Sequence, residues 1–202
     1  MSAELDFEEV THTYRFNGAV VPSVTQVIKA LYAFEGIPAA VLKAKGELGT
    51  VVHKLCEYDW QGILDEETVD PKAAPYLAAW RQFLVDKKPT ILLNERRFHH
   101  PARGYAGQID WLMQFDDLTW LIDTKTSVSV GPQVGVQLAG YEELLRINGE
   151  HGVIHRGALQ LKPTGKYSFG RYADPGDKGV FFGMLATYFW RVRHGVGIDP
   201  TA

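Results

Sequence analysis

Two runs of alternating residues meet at Asp116-Asp117, and the hairpin they imply constrains this 202-residue chain more than any other segment. Tyr105 to Phe115 and Leu118 to Lys125 read as strands, and a two-residue loop between them fixes their register. In that register Asp110 stands opposite Asp123, with side chains on one face and Cβ atoms about 4.5–5.5 Å apart. Lys125, two residues further on, shares the face. The other face pairs Ile109, Trp111, Met113 and Phe115 with Leu118, Trp120 and Ile122, an apolar surface that a helix should cover.

Opposed carboxylates within a hydrophobic hairpin repel each other, and their burial is costly unless something positive sits between them. Lys125 alone supplies one answer, a plain salt bridge. A divalent cation supplies the other, because two carboxylates and a neighbouring carbonyl form the hard oxygen environment that Mg²⁺ or Mn²⁺ prefers.

Around this hairpin the pattern is mixed. Thr13 to Phe16 and Ala19 to Val21 flank Asn17-Gly18, a type I′ turn signal. Ser23 and Gln26 form a capping box that opens a helix to about Phe34. Further helices are expected over Glu47 to Trp60, ended by Gly62, and over Lys72 to Lys87, where Tyr76, Leu77, Trp80, Phe83 and Leu84 make one apolar stripe. Strands follow at Ile91 to Phe98, in the hairpin and at Ile154 to Leu161, with helices over Gln133 to Ile147 and Gly179 to Arg193. This order predicts an α/β fold, a central mixed β-sheet flanked by helices, as a single domain over residues 1–202.

Composition excludes several classes. No stretch approaches the roughly 20 apolar residues of a membrane span, and the acidic start at Glu4, Asp6, Glu8 and Glu9 is unlike a secretory signal, so a cytoplasmic location is expected. Cys56 is the only cysteine, which leaves no internal disulfide and no iron-sulfur cluster held by several cysteines. The net charge of -3 hides a polarity: residues 151–202 carry seven Lys/Arg against three Asp/Glu, so a phosphate-binding face can lie beside an acidic centre.

The segments Gly107-Gln108-Ile109-Asp110 and Ile122-Asp123-Thr124-Lys125-Thr126 resemble the active-site hairpin of the PD-(D/E)XK nucleases, in particular the RecB-like exonucleases. Gln137-Leu138-Ala139-Gly140-Tyr141 is similar to the helix that follows this hairpin in that group, and Gly49 to His53 to the histidine-bearing helix that precedes it. The His12-x-Tyr14 and Pro22-Ser23-Val24-Thr25 segments are similar to the start of phage-encoded members. One departure is that Ile109-Asp110 stands where the superfamily's name has Pro-Asp.

The resemblance implies a restriction-endonuclease-like core and a metal held by His53, Asp110, Asp123 and the backbone carbonyl of Thr124, with Glu95 a further candidate ligand. It implies that Lys125 orients or helps deprotonate the attacking water and stabilises phosphoryl charge, with Gln137 and Tyr141 holding a phosphate or supporting Lys125. Arg96, Arg97, Arg103, Lys162, Lys166 and Arg171 are candidate DNA-backbone contacts, and Tyr105 or Tyr167 candidate stacking residues. The reading is a Mg²⁺- or Mn²⁺-dependent DNA exonuclease of recombination, repair or end processing in a bacterial or phage-infected cell. Its alternatives are an endonuclease on the same fold, a non-catalytic DNA- or protein-binding subunit, and a His/carboxylate iron oxygenase using His53, Asp110 and His99.

Overall fold

The computed structural model describes residues 4–9, 11–32, 38–150 and 152–197. The chain opens with strands β1 (Leu5–Glu8), β2 (Thr13–Phe16) and β3 (Ala19–Val21), an antiparallel three-stranded sheet. Asn17 and Gly18 both have positive φ, the type I′ turn that matches strand twist. Helix α1 (Val24–Val27) begins with the expected Ser23–Gln26 capping box but stops early, followed by one 3-10 turn over Lys29–Leu31. The expected helix to Phe34 is thus broken at Ile28, and its last two residues lie outside the described ones.

Helix α2 (Ala39–Gln61) starts eight residues before the expected Glu47 and ends at Gly62, whose left-handed φ of 70° suits a residue without a Cβ. Its first turns are largely exposed, so they carry no apolar periodicity for a sequence reading to detect. Helix α3 (Ala74–Lys87) has Pro75 in its first turn and buries Tyr76, Leu77, Trp80 and Phe83 as the stripe predicts. The main sheet then forms from β4 (Thr90–His100), β5 (Tyr105–Phe115), β6 (Leu118–Lys125), β7 (Ile154–Leu161) and β8 (Tyr167–Tyr172), in that spatial order. Helix α4 (Gln133–Ile147) connects β6 to β7, a parallel pair, and α5 (Asp177–His194) is the last element among the described residues. The mixed sheet between helices is the expected α/β architecture, and β1 and β8 are additions to it.

Two apolar cores lie on the two faces of the sheet. On one, α2 and α3 cover Trp111, Met113, Phe115, Trp120 and Ile122. Trp80 stacks on Trp111 there, with ring centroids 4.7 Å apart. On the other face α1, α4 and α5 cover Phe98, Tyr105, Ile109, Leu112 and Leu121. Ile109 therefore leaves the apolar row that alternation assigns it, and the alternation of β5 breaks between Ile109 and Trp111.

The reason lies in the pairing. β5 follows β6 only from Phe115–Leu118 to Trp111–Ile122, in the register expected from the Asp116-Asp117 turn. On its other side β5 pairs with β4 at Asn94–Trp111 and again at Arg96–Ile109, while Glu95 and Asp110 drop out of the ladder between them. Glu95 has a left-handed φ of 46°, costing about 1–2 kcal/mol for an L-residue. Such strain inside a strand collects where function needs a side chain redirected.

Candidate functional site

Asp110 and Asp123 come from the point where the β5–β6 ladder opens, and helices from both faces reach it. From the α2 side His53 brings its ring between the strands: Nε2 lies 3.1 Å from the Thr124 carbonyl oxygen. Its Nδ1 lies 3.6 Å from both Glu95 Oε1 and Asp110 Oδ2. His53, Glu95 and Asp110 offer ligand atoms that all lie within 4.8 Å of one another. Thr124 is held from two directions, its amide donating to Asp110 Oδ2 at 2.7 Å and its hydroxyl accepting from Trp111 Nε1 at 3.1 Å.

From the α4 side, Gln137 and Tyr141 sit one helical turn apart and meet Asp123 and Lys125. The Lys125 ammonium lies 2.7 Å from Asp123 Oδ2 and donates to Gln137 Oε1 at 3.1 Å. Gln137 Nε2 donates to Asp123 Oδ1 at 3.0 Å and to the Tyr141 hydroxyl at 3.4 Å. The Tyr32 hydroxyl donates to Gln137 Oε1 at 3.2 Å. Gly107 has no side chain because Tyr141 fills the space beside it: a Cβ there would come within 2.7 Å of the tyrosine ring.

The two carboxylates are thus divided between adjoining groups instead of facing each other as a bare pair. Their electrostatics differ. Burial raises the Asp110 carboxyl, His53 opposes the shift, and Asp123 and Glu95 add to it, leaving it at about 7. Burial works to lower the His53 pKa, but Asp110 and Glu95 outweigh it and hold the ring at about 9. Lys125 is also pulled down by burial and pushed up by Asp123, with a net rise, so it stays an ammonium ion.

A divalent cation fits the first group on the evidence of its own atoms. Glu95 Oε1 is buried without a hydrogen-bond partner. A neutral His53 that donates from Nε2 to the Thr124 carbonyl presents its Nδ1 lone pair to the same point. That is the outer contact by which proteins fix a ligating imidazole. Two carboxylate oxygens and one imidazole suit Mg²⁺ or, better for the nitrogen, Mn²⁺.

The remaining candidates divide by sheet end. β6 and β7 run parallel, and β5 antiparallel to β6, so Arg96, Arg97 and Arg103 and the Lys162–Lys166 turn all lie toward the end that carries Lys125. Arg97 is committed locally, donating to Gln108 Oε1 at 2.7 Å while Gln108 donates to Glu95 Oε2. Arg103 lies over the Phe182 ring at 3.8 Å and Arg96 over Phe98 at 5.1 Å. Arg171 is elsewhere, 3.1 Å from His155, whose ring packs on Trp120 on the face away from α4.

Three expectations need correction or relocation. Tyr105 is fully buried, packs on Phe181 and donates to the Gly140 carbonyl at 3.0 Å, so it cannot stack on a base. His99 is buried against Phe16, ring centroids 3.7 Å apart, and is absent from the ligand cluster that the oxygenase alternative requires. Tyr167 packs on Phe83 and donates to Asp86, over α3. Sequence reasoning missed Gln108, Asn94 and Tyr32 as supports. Asn94 donates to the Asp110 carbonyl at 3.1 Å. The alternation of β4 against β5 places Gln108 beside Arg97, whereas nothing in the sequence marks Tyr32.

No protein-family model matches this sequence, and no curated protein is significantly similar to it. Solved structures similar to it include an alkaline exonuclease from Laribacter hongkongensis, 10% identical over 86% of this chain and 88% of that one, with a TM-score of 0.48. Another is the protein SSO0001, 13% identical over 71% of this chain and 74% of that one, with a TM-score of 0.35.

Proposed function

We propose that the chain is a metal-dependent deoxyribonuclease with a restriction-endonuclease-like core, acting as an exonuclease on DNA ends. The observation that carries this reading is the convergence of a His53–Glu95–Asp110 ligand cluster with the Asp123–Lys125–Gln137 chain at the opened end of one hairpin. A salt bridge alone explains Lys125 and Asp123, but it leaves Glu95 with a strained backbone and its Oε1 buried without a hydrogen bond.

In this mechanism His53, Glu95 and Asp110 would hold the divalent cation, while the two other ligands expected from the sequence are engaged elsewhere, Asp123 with Lys125 and the Thr124 carbonyl with His53 Nε2. The bound ion would polarise a phosphoryl oxygen and lower the pKa of a water. Asp110 is oriented by the Thr124 amide, and Glu95 by Gln108. Lys125, kept charged by Asp123, places an ammonium beside the phosphoryl group where negative charge grows in the transition state. Gln137 fixes both Asp123 and Lys125, so neither side chain has to reorganise as the reaction proceeds. Thr124 and Trp111 tie this arrangement to the apolar core.

DNA recognition in this reading rests on backbone contacts from Arg96, Arg103, Lys162 and Lys166, with no base-reading element. The test is degradation of end-labelled linear DNA with Mn²⁺, Mg²⁺ or EDTA, beside covalently closed circular DNA. Metal-dependent loss of the linear form alone supports an exonuclease. Cutting of the circle makes it an endonuclease, and no cutting of either leaves a binding subunit.

A further inference from the structure

Beyond Asp123 and Lys125 the sheet continues as a groove. Because β7 runs parallel to β6 and β8 antiparallel to β7, the pairing lays two rows across three strands. One row is Asp123, Ala158 and Gly170, and the other is Lys125, Gln160 and Ser168. Over the β7 and β8 parts of these rows lies a cavity of about 220 Å³, lined by Ala158, Gln160, Ser168, Gly170, Val130 and Tyr172, among others. Val130 and Tyr172 pack against the same core as Ala158, so the groove opens on the α4 side, from which Gln137 reaches Asp123.

The chemistry of the lining selects what can enter. None of these six side chains is a carboxylate, ammonium, guanidinium or imidazole. Their donors are already used: the Gln160 amide donates to the Ser127 and Val128 carbonyls at 2.7 and 2.9 Å. The Ser168 hydroxyl donates to Gln160 Oε1 at 2.8 Å and the Tyr172 hydroxyl to the Gly131 carbonyl at 3.2 Å. A phosphate needs donors or cations and finds neither here. What the groove offers is a floor nearly free of side chains at Ala158 and Gly170, bordered by Tyr172 and Val130. That suits a flat, uncharged ring.

Resting on the nuclease reading, we propose that this groove receives the nucleobase of the nucleotide next to the bond being cut. A base in a duplex is stacked and paired and cannot enter, so the substrate at the site is an unpaired nucleotide: a single-stranded end, an overhang or a frayed terminus. Because the donors are engaged internally, the base is held by stacking and shape, with little preference among the four.

The test uses the full chain with single-stranded DNA carrying either normal bases or a run of abasic residues at its ends, and the variants Gly170→Leu and Ser168→Leu. A side chain at Gly170 meets only Tyr172 Cε2, at 3.9 Å, so the first variant fills the groove without a clash at its root. Wild type should cut the base-containing strand about tenfold faster than the abasic one, and both variants should bring that ratio close to one. A ratio unchanged in both folded variants, or no preference in wild type, overturns the proposal. If wild type cuts nothing, the nuclease reading fails, and a terminal 2-aminopurine then decides the groove by itself. Its fluorescence quenched by wild type but not by Gly170→Leu keeps the base subsite, and no difference removes it.

Discussion

Each half of the site sets carboxylate against a basic side chain, and the two reach different electrostatic states. Asp123, Lys125, Gln137 and Tyr141 form a chain in which each polar group meets a partner of suitable sign. His53, Glu95 and Asp110 crowd two carboxylates around one ring, with Glu95 Oε1 lacking a hydrogen bond and Asp110 held near 7. The first half is finished by the protein alone. The second is left incomplete in charge, and the strain at Glu95 shows that the fold is bent to keep it so.

The widest effect should follow from breaking the finished half. Lys125→Ala leaves Asp123 buried without its cation, and should lower DNA cleavage by about a hundredfold or more and unfolding stability by about 3 kcal/mol. End-labelled DNA kinetics and urea unfolding measure both. The incomplete half should respond with the opposite sign in stability. Asp110→Asn removes one of the crowded charges and can still accept from the Thr124 amide, so in EDTA it should stabilise the protein by about 1–3 kcal/mol while abolishing the rise in Tm that Mn²⁺ gives wild type.

The same half sets a pH dependence. Asp110 has its folded pKa raised from 3.8 to about 7, so between those values the folded state binds more protons than the unfolded one, and stability falls as pH rises. His53 is raised from 6.5 to about 9, so its contribution is complete below 6.5 and is lost as pH rises toward 9. Metal-free protein should therefore lose Tm steadily from pH 4 to 9, whereas the stabilisation by added Mn²⁺ should grow over that range, because binding needs both groups deprotonated.

A smaller effect should come from the residue that joins Asp123 to Lys125. Gln137→Leu strands Asp123 Oδ1 and should cost about 1–3 kcal/mol, with cleavage reduced less than by Lys125→Ala. The smallest concerns the surface. Lys166→Ala should reduce the salt slope of DNA binding by about one and Arg171→Ala should leave it unchanged, because Arg171 lies on the other face beside His155. Equal effects of the two would move the DNA path away from the Lys125 end.

The finished half was largely legible in the sequence. A two-residue turn at Asp116-Asp117 fixes register by geometry, and Gln137 and Tyr141 share a helix face by spacing, so Tyr105–Phe115, Leu118–Lys125 and Gln133–Ile147 have the expected limits. The incomplete half was less so. Alternation assumes an unbroken strand, and the opening at Glu95 and Asp110 moves Ile109 to the other core. Glu95 turns inward through a left-handed φ that no residue pattern announces. β8 escaped because Gly170 and the Pro163–Lys166 turn mask the alternation of Tyr167 and Phe169, and Tyr105 was misread because an aromatic beside a basic turn looks the same whether buried or exposed.

Anomalous diffraction from crystals soaked in Mn²⁺ decides whether His53, Glu95 and Asp110 hold a divalent cation. One strong peak is expected within coordinating distance of His53 Nδ1, Glu95 and Asp110, absent in the Asp110→Asn variant. A protein that binds no Mn²⁺ there, with His53 bonded to both carboxylates instead, would contradict that expectation.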